Sequence, residues 1–133
     1  MEQEYLKRIK TPINLEMKPL VSKKTFKRKT DQKLYEGDLF LSALEKHRGF
    51  YCFDKHGKRY DTESFAKFLF HSGQDISLLI GGTYGLHEKL LDDSQGLISL
   101  SDMEFTHELS RLMLLEQIYR ANCIQNNHPF HQL

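Results

Sequence analysis

Residues able to move protons and bind phosphate concentrate in one stretch, Ile98 to His131, which holds His107, Arg111, Arg120, His128 and His131. An imidazole titrates near neutral pH and serves as acid, base or metal ligand, and a guanidinium forks onto phosphate oxygens. Upstream, Leu78-Leu-Ile-Gly-Gly-Thr-Tyr-Gly-Leu86 reads as a buried strand running into a glycine loop. In open α/β sheets such a loop frames a ligand crevice, because glycine lets the backbone come close. The spacings G-x-G-x-x-G and G-x-x-x-x-G-K-[ST] are both absent, which excludes a Rossmann dinucleotide site and a P-loop. On its own the motif also fits a simple tight turn. His128-Pro-Phe-His131 has a short H-x-x-H spacing and no second Cys/His pair beside it, so no metal is expected. The tail histidines then read as partner contacts or surface residues.

These residues need elements to position them. Residues 2–10 have Tyr5, Leu6 and Ile9 in helical phase, and Thr11-Pro12 stops that helix. Ile13 to Lys18 alternates apolar and polar residues, the pattern of a half-buried strand. A helix is predicted over Tyr35–Leu44, with Leu34, Leu41 and Leu44 in phase and Gly37 a weak point or a close packing contact. Gly49–Phe53 reads as an aromatic strand closed by a turn at Asp54-Lys-His-Gly57. Asp61-Thr-Glu-Ser-Phe reads as a helix start that buries Phe65, Phe68 and Leu69. Ile76–Ile80 predicts a strand covered on both faces. A short helix over Leu86–Leu91, a strand over Leu97–Leu100 and a long helix over Thr106–Asn122 complete the chain. Strands alternating with helices predict a single α/β domain over 1–133 with a mainly parallel sheet.

The long helix carries Leu109, Leu112, Met113, Leu115, Ile118 and Tyr119, apolar almost all round, so its middle is expected in the core or at a subunit interface. Arg120 stands four residues after Glu116, at ion-pair spacing. The 133 residues suffice for one real core, and 39% hydrophobic with 28% charged residues is a globular composition. No apolar run approaches membrane-spanning length, and the first residues lack a signal-peptide pattern. Cys52 and Cys123 make no disulfide framework and are expected as buried free thiols in the cytoplasm. Net charge is only +1, yet residues 1–30 carry nine Lys/Arg against three Asp/Glu while the remainder carries ten against fifteen. The densest part is Lys23-Lys-Thr-Phe-Lys-Arg-Lys29, expected as a loop. A basic arm of this kind suits a polyanion, or is simply a solvated connector.

Four ordered stretches carry a resemblance. Leu79-Ile-Gly-Gly with Gly85-Leu86, Ser99-Leu-Ser-x-Met-x-Phe-x-His-x-Leu-x-Arg111, Leu114-x-Glu-Gln-x-Tyr-Arg-Ala121 and His128-Pro-x-His131 resemble the RlmH family. Those are SPOUT-class methyltransferases acting on N3 of a pseudouridine in bacterial 23S ribosomal RNA. The resemblance runs from about Tyr35-Glu-Gly37 to the C-terminus, with weaker similarity at Glu4-Tyr-Leu-Lys-Arg8. It implies a SPOUT-type sheet with a C-terminal trefoil knot, S-adenosylmethionine bound at a homodimer interface, and the assembled ribosome as partner. Cofactor contacts fall on Phe53, Gly81 and Leu100, Ser101, Asp102, Met103, Glu104 and Phe105. His107 falls at a position for a base or an RNA contact, and Arg120 and His131 at positions that handle RNA. Phe53 stands where the family usually has leucine, Thr106 where proline is common, and Phe130 where the tail usually has tyrosine. The family begins with a hydrophobic strand, and this chain is expected to lack it and to enter the first helix midway. A second reading stays open, a non-catalytic RNA- or ribosome-binding relative.

Overall fold

A computed structural model describes residues 1–20, 24–44, 49–71, 75–82 and 84–127. The elements are α1 (Glu2–Arg8), α2 (Lys29–Ala43), β1 (Phe50–Arg59), α3 (Thr62–His71), β2 (Ser77–Leu79), α4 (Glu88–Asp93), β3 (Gly96–Ser99) and α5 (His107–Gln125). They fall into two compact units. One takes in the described residues of Lys18–Arg59 and Gln74–His107, the other those of Met1–Met17, Tyr60–Gly73 and Glu108–Leu133.

The first unit is built on a parallel sheet in the order β2-β1-β3. Its core is Cys52, Leu79, Leu86 and Leu90, with Phe40, Leu41, Leu44, Phe50, Leu91 and Leu97 packed around it. Burying such apolar surface is the main driving force for holding strands and helices together. The turn expected at Asp54–Gly57 is instead part of β1. Phe53 and Lys58 both stand opposite Ile98, so the ladder slips register across residues 54–57. Asp54 closes the slip locally by accepting the His56 N–H at 2.9 Å. Gly57 is there for approach rather than for a turn: a Cβ on it would lie 2.5 Å from the Ile98 nitrogen.

The helix expected over Tyr35–Leu44 begins six residues earlier, at Lys29, because Lys29, Gln32, Lys33 and Leu34 are competent helix formers. Leu34 is 44% exposed and so falls off the buried stripe. Gly37 is a packing contact, with space for a Cβ only 3.4 Å from the Cβ of His87. His87 in turn caps α4, its Nδ1 accepting the Lys89 N–H at 3.0 Å.

In the second unit α5 gathers the N-terminal segment. Asn122 is buried, and its amide grips one peptide from both sides: Nδ2 donates to Lys10 O at 2.6 Å, and Oδ1 accepts the Lys10 N–H at 3.2 Å. Asn126 donates to Thr11 O, Arg111 pairs with Glu2 at 3.2 Å, and the rings of Tyr5 and Tyr119 lie 5.9 Å apart. Ile13 N–H donates to Lys10 O around a cis Thr11–Pro12 bond, which turns the chain as α1 ends. The strand expected over Ile13–Lys18 does not form among the described residues. Alternation sorts side chains onto two faces, but a strand also needs a partner edge. In α3, Phe65 and Ala66 are buried, and Asp61 starts the helix by accepting the Ser64 N–H at 2.7 Å. That bond holds the Asp61 carboxyl below its ordinary value.

Candidate functional site

Parallel strands bring their carboxyl ends to one edge, and the first unit gathers there most of the residues singled out by sequence. Cys52 pairs with Leu79 in β2, and Phe53 pairs with Ile98 in β3. Gly81 therefore follows β2, and Leu100–Phe105 follows β3, on the side where Phe53 lies. Gly81 carries no Cβ for a strict reason: one would lie 2.6 Å from the Gly85 carbonyl carbon and 2.8 Å from the Leu86 nitrogen. The loop closes when Gly85, at φ +80°, donates its N–H to Gly82 O at 3.0 Å. Only a residue without a side chain takes up that φ readily. The result is a knuckle of bare peptide groups at a sheet edge.

The 100–105 segment is an ordered loop. Buried Ser99 donates its hydroxyl to Ser101 O at 2.9 Å, and Ser101 Oγ accepts the Met103 N–H at 3.0 Å. Two ion pairs strap the loop to β1: Arg59–Asp102 at 2.6 Å and Lys55–Glu104 at 3.0 Å. The bond to Glu104 raises the Lys55 ammonium above its ordinary pKa. With both carboxylates turned to β1, the segment has its peptide groups, Met103 (71% exposed) and half-buried Leu100 and Phe105 to offer a ligand. Phe53 is half-buried on the adjoining strand.

His107 is half-buried as the first residue of α5, directly after this loop. Arg120 lies in the second unit and pairs with Glu116 at 3.2 Å, as the spacing predicts. His131, with His128 and Phe130, lies outside the described residues, as does Lys23 of the basic run. Among the described residues no group of three or more His, Cys, Asp or Glu is arranged to hold a metal ion. No described helix is long and apolar enough to cross a membrane. Cys52 and Cys123 are both free and buried, as expected.

Sequence reasoning missed Glu36 and the meeting of Lys29 with Tyr84 at the glycine loop. A Cβ on Gly82 would sit 3.2 Å from Glu36 Oε1, so α2 presents a carboxylate to the loop. Lys29, also on α2, lies with its Nζ 5.4 Å from the ring centroid of Tyr84 in the same loop. Nothing in the spacing of Lys29, Glu36 and Tyr84 links them; the packing of α2 beside the loop does.

A family model described as "Predicted SPOUT methyltransferase" matches residues 1–131. A protein from Dictyoglomus thermophilum named "Ribosomal RNA large subunit methyltransferase H" is 40% identical over 96% of this chain and 86% of its own length. Proteins of the same name from Phocaeicola vulgatus and Bacteroides fragilis are 36% and 35% identical, each over 96% of this chain and 85% of their own. A glycine knuckle and a strapped peptide loop at the carboxyl edge of a parallel sheet, a family match across nearly every residue and relatives spanned over most of their length place this chain in the SPOUT methyltransferase family.

Proposed function

We propose that this protein methylates N3 of a pseudouridine in the 23S RNA of the large ribosomal subunit, within the assembled ribosome in the cytoplasm, using S-adenosylmethionine. The observation that carries this reading is the carboxyl edge, where Gly81 and Gly82 offer bare peptide groups and Leu100–Phe105 offers a loop whose carboxylates are occupied. The residues fit the donor: Phe53, Leu100 and Phe105 make apolar walls for an adenine, the loop peptides supply its hydrogen-bond partners, and Glu36 beside Gly82 supplies a carboxylate for a positive charge. The bound donor supplies a sulfonium methyl already activated for transfer. The protein's own work is then positional, holding the acceptor nitrogen in line with that methyl. His107 accepts the proton that N3 must lose as the N3–C bond forms and the methyl–sulfur bond breaks, the electron pair leaving with the demethylated product, and releases that proton to solvent, or it contacts the RNA directly. Arg120 and His131 bind the RNA. The relatives' name and the resemblance support this substrate, and the match over 1–131 supports one SPOUT domain with the family's trefoil knot. Exposed Leu109 with half-buried Leu112 and Met113 supports the homodimer.

Calorimetric titration with S-adenosylmethionine or its demethylated product tests the site, and mass spectrometry of ribosomal RNA after reaction tests the chemistry. Wild type should bind and methylate. Gly81→Ala should lose binding by at least tenfold, since its Cβ meets backbone at 2.6 Å, under the contact distance real Cβ atoms keep. No wild-type binding at high micromolar donor would sink the enzyme reading and leave the RNA-binding relative. A methylation pH profile unmoved by His107→Ala would remove the base.

A further inference from the structure

The surface that the site's chemistry leaves unused is the basic stretch beside it. Residues 24–29 are exposed throughout and carry Lys24, Lys27, Arg28 and Lys29 within six positions. Lys27, Arg28 and Lys29 are consecutive like charges that make no ion pair among the described residues, with Asp31 following in the first turn of α2. Clustered charge of one sign costs free energy that a polyanion relieves. The stretch is also organised by aromatic contacts. Phe26 packs on Tyr35 with centroids 5.3 Å apart, Lys24 Nζ lies 5.8 Å from the same Tyr35 ring, and Lys29 Nζ lies 5.4 Å from Tyr84. Tyr84 is 44% exposed in the turn closed by Gly82 and Gly85. The Lys29–Tyr84 contact thus makes the cations and the glycine knuckle one continuous surface.

Cations interleaved with exposed rings are how proteins hold single-stranded nucleic acid: the charges track phosphates, and the rings stack on bases without choosing among them. A double helix would present its phosphates but keep its bases from Tyr84 and Phe26. We propose that residues 24–29 and Tyr84 form the track that guides single-stranded RNA to the transfer site, with phosphates on Lys27, Arg28 and Lys29 and a base stacked on Tyr84. This rests on the methyltransferase reading of the same loop, but its test does not need the methyl transfer to work.

The test is fluorescence anisotropy of a short labelled single-stranded RNA against salt concentration. Lys27→Ala/Arg28→Ala/Lys29→Ala should weaken binding by an order of magnitude or more. It should also flatten the log–log salt dependence by about 2, because each phosphate neutralised on a single strand adds about 0.7 to that slope. Tyr84→Ala should weaken binding on the order of tenfold, with Tyr84→Phe close to wild type, because the ring and not the hydroxyl does the stacking. Lys67→Ala, an exposed cation on α3, should change neither quantity. Donor affinity and thermal unfolding of each variant report whether the loop and fold are intact. Unchanged affinity and slope in the triple variant, Tyr84→Ala binding like wild type, or an equal loss in Lys67→Ala would each overturn the proposal. Failure of wild type to bind the donor, with these RNA effects present, would instead overturn the methyltransferase reading alone.

Discussion

Cys52 shows how far a single residue's chemistry is set by its surroundings. It lies wholly inside the first unit's core, its Sγ 3.8 Å from Leu90 O. Burial pushes its thiol up from 9.0 to about 11, nearby Asp54 adds to the rise, and a hydrogen bond with Ser94 opposes it. The folded state therefore keeps its proton where the unfolded chain gives it up. Stability from this group is complete below about pH 9 and is lost as pH rises toward 11. Denaturant unfolding measured from pH 8 to 10.5 should show wild type losing stability relative to Cys52→Ala across that window, and native Cys52 should resist alkylation until the protein unfolds. A cysteine inside an aromatic strand already announces burial in the sequence. What the sequence hides at this scale is Glu36 at Gly82 and the contact of Lys29 with Tyr84, which depend on which loop α2 packs beside.

Among the elements, the loop after β3 is held by β1 rather than by its own sequence. Lys55 within the register slip and Arg59 after it meet Glu104 and Asp102 from 49 and 43 residues away. Both pairs are well exposed, so each adds little to global stability. Their effect is on where the loop rests. Lys55→Ala/Arg59→Ala should weaken donor binding several-fold in calorimetry while leaving the unfolding temperature nearly unchanged. Raising salt to 1 M should reproduce much of that loss in wild type, because screening then acts within about 3 Å. Hydrophobic periodicity found β2, β3, α3 and α5 within a few residues, since a buried stripe has to be written into the chain. It missed the register slip at 54–57 and the early start of α2, which depend on Gly57 meeting the Ile98 backbone and on polar helix formers that leave no stripe. At Ile13–Lys18 the alternation was present, but among the described residues no strand pairs with it.

At the scale of the whole molecule, α5 poses the question of assembly. Leu114, Leu115, Ile118, Tyr119, Ala121 and Cys123 are buried within its own unit, while Leu109 stays 42% exposed near the helix start. Sedimentation at micromolar concentration should find a dimer, and a monomer there would remove the proposed interface. The α/β class and the parallel sheet were legible because βα alternation allows few other solutions. The division into two units was not, since it rests on contacts such as Asn122 with Lys10, 112 residues apart. Each unit is stitched from separated stretches, so the two interleave along the polypeptide. During synthesis Lys10 leaves the ribosome 112 residues ahead of the amide that fixes it. Meanwhile β1 waits for β3 before its sheet is complete. The first unit has all its residues once His107 is made, whereas closing of the second is postponed until α5 has emerged, with long loops to close and apolar segments exposed in the interval.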